Sequence, residues 1–397
     1  MNMAAVIDPI AAGARAPSGA SPIARVEILN DMREAEHVWR SLEYPPQLAT
    51  PYQRFDLQAA WQQHVGSQDN LRPFIVIAYD YDDRPVLLLP LVVKQHNGMR
   101  TATFLGGKHV TFNMPLWQHD FAASANKADL DLLLESIRAT NEVDVLALTR
   151  QPRHWMNVAN PMSLLPNQAS TNDCPLLVMI PGAPPADLIS NSFRRRLKGK
   201  ERKLQSLPGY RYCLARTEAE IRRMLDAFFT IKPQRMAEQK LPNVFADSGV
   251  EDFIRTACMA PVVGGGHAID IHALECDDEV IAIFAGVADG NRFSMMFNTY
   301  TLSGNSKYSP GLILMRDIID HYAGLGYKSF DLGIGSDDYK RLFCKSDEPI
   351  FDSFIPLTFR GKLAAVGMAS IAHGKRVVKQ NPALMHMAQI IRSAFQH

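Results

Sequence analysis

Two stretches of the chain, AYDYDDRPVLLLPL at 78–91 and ALECDDEVIAIFAG at 273–286, line up end to end with an aspartate pair at the same place in each. In both, an apolar run of strand length enters the turn and a second one leaves it. The flanking order repeats as well. FIVIAY, the DD turn, PVLLLPLVVKQ, an NG turn and TATFLGG precede the helical pattern ADLDLLLESIRA and the strand VDVLALTR. AIDIHALEC, the second DD turn, EVIAIFAGVA, a DGN turn and RFSMMFNTY precede the helix GLILMRDIIDHYAGLGY and the strand KSFDLG. A strand–strand–strand–helix–strand unit met twice predicts a mixed α/β fold of two tandem domains, each a mostly antiparallel sheet flanked by helices. We expect a flexible tail over 1–22, an N-terminal domain over 23–168, a C-terminal domain over 169–360 and a basic helical extension over 361–397. The first domain opens with the strand IARVEIL and two helices, DMREAEHVWRSLEY, capped by Asp31, and YQRFDLQAAWQQHVG.

Forty-two basic against 41 acidic side chains leave no excess for a dedicated nucleic-acid binder, so DNA is not an expected partner. The cysteines at 174, 213, 258, 276 and 344 are odd in number and form no CxxC pair. That pattern argues against a disulfide framework or a zinc site and fits a reducing cytoplasm. VLLLPLVV is only strand-sized, so no transmembrane segment is expected. The two basic helical patterns after Arg360 leave core padding, a partner or peripheral membrane contact open.

Several common chemistries lack their motifs. There is no GxxxxGK[ST], no GxSxG and no HExxH, and no metal site is expected. DLGIGSDDYKRLF at 331–343 places Gly-x-Gly between a strand and a helix, but Asp337 and Asp338 would repel a pyrophosphate there. Ser336 instead reads as a helix cap. The loop TLSGNSKYSPG joins a strong strand to a strong helix. Its Ser309-Pro310-Gly311 supplies a capping serine and a proline at the first helical position, a start whose N–H groups can receive an anion. In KSFDLG, Asp331 points to the face opposite Phe330 and Leu332, and in a covered sheet it needs a partner or an opening. Tyr339, Lys340 and Arg341 follow at a helix start.

The run from RFSMMFNTY through YSPGLILMRDIIDHYAGLGYKSFDLGIGSDDYKRLF, together with FRRRLKGKERKL and with PLVV and FLGG, resembles the CelD-type acetyltransferases over residues 25–365. That branch of the GNAT superfamily is associated with bacterial cellulose and exopolysaccharide synthesis. The resemblance implies tandem GNAT-like domains, the first of them degenerate, and acyl transfer from acetyl-CoA or another acyl-CoA to an amine or hydroxyl of a polysaccharide precursor or related small molecule. It implies donor binding by Ser303, Gly304, Lys307, Ser309, Gly311 and Leu312. Backbone N–H groups of Asn298, Thr299 and Tyr300 would polarise the carbonyl. The family's Q/R-x-x-G-x-G/A signature is not met: only Gly304 and Gly311 stand in the loop, with Lys307 as a charge supplement. Tyr339 takes the place of the general acid, and Asp331 or His272 could accept the amine proton.

From FRRRLKGKERK into the residues just after it, Phe193, Leu197, Leu204 and Leu207 form one apolar stripe, and the cations fill the remaining arc. Arg195, Lys198 and Arg202, with Lys340, are the candidate grip on an acceptor. A solvated basic face and a cradle for CoA phosphates stay open beside that reading. Two rivals remain: a FemABX-type transferase whose basic helix contacts aminoacyl-tRNA, and a non-catalytic scaffold of a polysaccharide-synthesis complex.

Overall fold

The computed structural model describes residues 21–180, 182, 188–335 and 337–381. Nearly all of the expected tail, the Ser336 cap and the helix expected over 382–397 lie outside the described residues. The chain divides into two units, one of residues 1–55, 70–174 and 348–397 and one of 56–69 and 175–347.

In the first unit, β1 (Arg25–Leu29) leads to helix α1 (Met32–Leu42), whose start is capped by Asp31 accepting from the Arg33 N–H. Antiparallel strands β2 (Arg72–Tyr79), β3 (Pro85–His96) and β4 (Met99–Phe104) follow. Helix α2 (Lys127–Ala139) then crosses over to β5 (Val145–Pro152), which pairs parallel with β4. Strand β3 is buried from Val86 to Val93, as its unbroken apolar run requires of a strand covered on both faces.

The second unit repeats this order. β6 (Cys174–Val178) and helix α3 (Asn191–Leu204) precede β7 (Arg211–Leu214) and helices α4 (Glu218–Glu238) and α5 (Val250–Met259). β8 (Asp270–Glu275), β9 (Val280–Ala288) and β10 (Arg292–Tyr300) are antiparallel neighbours. Helix α6 (Pro310–Gly324) crosses over to β11 (Ser329–Asp331), which pairs parallel with β10, and β12 (Ser346–Glu348) closes the sheet order β7-β8-β9-β10-β11-β6-β12. Two mixed sheets flanked by helices are the architecture expected from the repeat.

The chain's division differs from the expected 168/169 and 360/361 boundaries in two places. Strand Ile350–Pro356, assigned by sequence to the second domain, pairs antiparallel with β5 in the first sheet. The helix Phe359–Gln380 that follows packs on these strands rather than standing as a separate extension. Segment 56–69 belongs with the second unit, where the His64 ring meets the Thr256 hydroxyl at 2.9 Å and Ser248 bonds to Gln68. Pairings between strands about 200 residues apart leave no local sequence signature. Among the described residues no helix is long and apolar enough to cross a membrane.

One irregularity organises the second unit. Gly286 pairs with Met295 and Ala285 with Phe297, so Met296 is an extra residue bulged out of β10. An added residue moves everything beyond it to the other face. Phe293, before the bulge, stacks on Tyr322 of α6 at 4.5 Å between ring centroids. Phe297, four residues on, packs on Phe228 of α4 at 4.7 Å. Gly286 is held there by space: a Cβ would lie 2.4 Å from the Ser294 carbonyl oxygen and 2.6 Å from the Phe293 ring. Gly286→Ala is therefore expected to destabilise the second unit by about 1–3 kcal/mol, the scale of an overpacked core. A lowered denaturant midpoint would show it, and an unchanged one would mean that the bulge tolerates a side chain.

Candidate active site

β10 is paired with β9 from Phe293 to Tyr300, but with β11 only from Arg292 to Ser294. Beyond the bulge its second edge parts from β11 and leaves alternate backbone N–H and C=O groups facing an opening. A cleft of about 270 Å³ occupies that place, lined by Phe284, Asn298, Tyr300, Ser306, Ser309, Gly311, Leu312, Met315 and Tyr339. Because the bulge turns Phe297 toward α4, Asn298 and Tyr300 face the cleft on the α6 side.

The cleft's end wall is the start of α6. Ser309 was expected to cap this helix and does not. Its backbone is left-handed, with φ 56° and ψ 52°, and its side chain makes no cap hydrogen bond. The Ser309 Oγ instead accepts from Lys200 Nζ at 2.6 Å. Pro310 has no N–H to offer, and the Ser309 carbonyl takes the N–H groups of Leu312 and Ile313. A Cβ on Gly311 would stand 3.5 Å from Tyr300 and 3.9 Å from Phe284, so glycine keeps the cleft floor open.

Lys200 reaches this point because α3 is clamped along α6. Phe193, Leu197 and Leu204 are buried as the stripe predicts. Beside them Arg194 pairs with Asp320, and Arg316 meets Glu201 at 2.9 Å. Arg195, Lys198 and Arg202 point to solvent on the opposite arc. The basic run is thus divided: Arg194 and Lys200 are engaged by the body, and the other five, Arg196 and Lys203 included, are exposed.

Tyr339 sits on a single 3-10 turn, Asp338–Leu342, rather than on a longer helix. Burial, with the Asp337 carboxylate nearby, pushes its phenol up to about 12, while a hydrogen bond with Asn298 acts the other way. The turn is anchored by Lys340, which corrects the expectation of a substrate-binding lysine. Lys340 is buried, and its Nζ donates to the carbonyls of Gly333 at 3.2 Å and Ile334 at 3.0 Å.

The structure does not bring Asp331 or His272 to the cleft. Asp331 lies with Arg292 and Ser294 on the face away from Phe293 and Phe330. It is buried, accepting from Arg292 Nε at 2.8 Å, from the Gly333 N–H at 3.0 Å and from the Ser294 hydroxyl. The carboxylate has the partner that a buried aspartate needs, which leaves it structural rather than basic. His272 is fully buried, with the Tyr212 hydroxyl 2.8 Å from Nδ1 and the Tyr322 hydroxyl 3.0 Å from Nε2. Burial first, and then the neighbouring His321 and Arg216, push its pKa well below the ordinary histidine value. It is a satisfied core residue.

The remaining expected donor contacts are scattered. Thr299 is buried on the α4 face, so only its backbone reaches the cleft edge. Ser303 Oγ donates to Glu279 at 3.1 Å and caps the 3-10 turn that begins at Gly304, where Glu279 also accepts from Thr301. Lys307 is exposed over the Tyr308 ring. Sequence reading missed Phe284, Ser306, Met315 and Lys200. Lys200 had a legible signal: it falls three residues after Leu197 and four before Leu204, on the body-facing arc. Met315 likewise stands one turn beyond Gly311. Arg235 of α4, also missed, places its guanidinium carbon 3.5 Å from the Tyr300 ring centroid. Among the described residues there is no group of three or more potential metal ligands.

Residues 191–341 match a family model described as an acetyltransferase (GNAT) domain. No curated protein matches the chain. FemX is similar in structure at a TM-score of 0.51 and 8% identity, with 82% of this chain and 96% of that one covered. The C-terminal domain of a protein described as a lysylphosphatidylglycerol synthetase from Agrobacterium fabrum follows at a TM-score of 0.50 and 10% identity, covering 85% and 96%. A conserved protein of unknown function from Bacteroides thetaiotaomicron gives 0.50 at 9% identity, covering 83% and 99%. At these identities the likeness is one of fold. The matched segment runs from α3 to the Tyr339 turn and encloses the splayed strand and the cleft: it is a GNAT-fold acetyltransferase domain, and the protein is an acyltransferase.

Proposed function

We propose that the second unit transfers an acyl group, acetyl in the first instance, from a coenzyme A thioester to an amine, or less readily a hydroxyl, of a polysaccharide precursor or related small molecule. The observation that carries this reading is the opening between β10 and β11, with Tyr339 on one side and the uncapped start of α6 on the other. Lys200 and the α6 start would hold the donor's phosphates, since a helix N-terminus and an ammonium both favour an anion. The free edge of β10 would hold its amide-bearing arm. Bound there, the donor supplies an activated acyl group as a thioester.

Backbone N–H groups of Asn298–Tyr300 are the chain's means of steadying charge on the acyl oxygen. Tyr339 keeps its proton throughout the neutral range, because a phenol shifted to about 12 is neutral below that pH. It is therefore poised to donate from Oη to the departing sulfur. Neither Asp331 nor His272 is assigned the base. A cytoplasmic setting, where acyl-CoA is at hand and free thiols stay reduced, belongs to the same reading, as does membership of the CelD-type branch.

The first unit is proposed to be degenerate on a specific contrast. Its crossover helix α2 begins with a capping box, in which Asn126 accepts from the Ala128 N–H and Asp129 bonds back to the Asn126 N–H. Asp129 puts an acid in that first turn, where α6 has none, so the place corresponding to the α6 start does not suit a phosphate.

A second reading, transfer from aminoacyl-tRNA, is favoured by one feature: the outward row of Arg195, Lys198 and Arg202 suits a nucleic-acid backbone.

Tyr339→Phe is expected to lower turnover about 10²-fold with little change in donor affinity, followed as free thiol release from acetyl-CoA. An unchanged rate would move the proton-donor role elsewhere and favour a scaffold. Lys200→Gln should weaken CoA about tenfold, the scale of one charge-assisted hydrogen bond, and leave pantetheine unaffected. Calorimetric titration of both ligands separates the outcomes. Reversing Arg195, Lys198 and Arg202 together should leave the CoA constant in place. Loss of a salt-dependent affinity for charged tRNA in that variant would establish the second reading instead.

A further inference from the structure

Two neighbouring cations on α4, one of them over a ring that lines the cleft, are not used by the donor site. Arg235 lies over Tyr300, whose ring lines the cleft, at 3.5 Å from guanidinium carbon to ring centroid. Lys232, one turn earlier, is largely withdrawn from water against Phe245, with Nζ 5.8 Å from the ring centroid, and lies in the field of Arg235. Among the described residues neither has a carboxylate at ion-pair distance. Asp337, the acid whose charge Lys232 feels, has its own cation, Lys340, at 3.6 Å.

Two like charges brought together and partly desolvated cost free energy unless something negative offsets them. Burial and Arg235 together lower the Lys232 pKa, as that cost requires. An arginine stacked on an aromatic ring is also held in place with its edge donors still available. The donor's anionic groups have their own place at Lys200 and α6. The α4 side is where Phe297 packs on Phe228, and from that side Arg235 reaches the ring of Tyr300.

We propose that Arg235, supported by Lys232, is an anion subsite for the acyl acceptor, so that the amine or hydroxyl acylated belongs to a molecule carrying a carboxylate or phosphate. The inference rests on the acyltransferase reading and narrows its substrate class. The guanidinium fixes the acceptor's anionic end and leaves its nucleophile to approach the acyl carbon from the α4 side. A bidentate contact would favour such acceptors over neutral ones of the same size.

Matched probes test this directly. Thiol release from acetyl-CoA is measured with ethanolamine against phosphoethanolamine and with butylamine against 4-aminobutyrate. At least one anionic amine is expected to exceed its neutral partner tenfold or more in kcat/KM. Arg235→Gln should bring that ratio near one while moving the acetyl-CoA KM less than twofold. Lys232→Met, which keeps the packing on Phe245, should lower the ratio in the same direction. Equal use of neutral and anionic amines, or a variant that changes the donor constant instead, would overturn the subsite. Should no probe turn over, calorimetric titration of phosphate into CoA-saturated protein decides: binding lost in Arg235→Gln supports the subsite, and no binding in the parent sinks it. Failure of CoA itself to bind would count against the donor reading alone, and the phosphate titration of free protein, parent against variant, would still settle the subsite.

Discussion

The extra residue in β10 is the constraint on which the rest of the acyltransferase unit depends. Before Met296 the strand sits between β9 and β11 and sends Phe293 to α6. After it, the faces exchange, the strand leaves β11 and Phe297 packs on Phe228. A regular strand would have put Phe297 into the space where Asn298 and Tyr300 now line the cleft. It would also have covered the backbone edge that opens there. Gly286 makes the irregularity affordable, because only a residue without a Cβ fits opposite the Ser294 carbonyl.

The second requirement is that helix α3 be held in one position. Its apolar stripe supplies burial, and Arg194 with Asp320 and Glu201 with Arg316 add charge-paired contacts two turns apart along one flank of that stripe. The Arg316 pair is well withdrawn from water, so removing one partner would cost more than the pair contributes. Its effect is one of position: the Lys200 ammonium arrives at Ser309. Arg195, Lys198 and Arg202, a turn away on the outer arc, carry the same charge with none of that constraint. Exposed charges of this kind act through steering and are screened by salt.

The two sheets share a topology and differ where chemistry would begin. In the first unit the crossover helix has its first N–H groups satisfied by Asn126 and Asp129. In the second, the corresponding helix starts at a left-handed serine whose hydroxyl oxygen accepts from Lys200 and caps nothing. The two repeats thus differ in how the crossover helix begins, without any change of fold.

Local patterning in the sequence determined the repeated strand and helix order, the Asp31 cap, the buried face of α3 and the place of Tyr339 beside a strand end. Each follows from residues within one or two turns of one another. The burial of Asp331 was also legible, since alternation in KSFDLG sends it away from Phe330, but its pairing with Arg292 was not. Tertiary structure alone decided the contacts made across long separations. It put Ile350–Pro356 in the first sheet, seated Lys340 under its own loop, enclosed His272 between two tyrosine hydroxyls and laid Arg235 on Tyr300. It also made the Ser309 hydroxyl an acceptor for the Lys200 ammonium, from more than a hundred residues earlier, rather than for an N–H of its own helix. A side chain's role follows from which partner reaches it first at hydrogen-bonding distance, and that partner is chosen by packing rather than by neighbours in the chain.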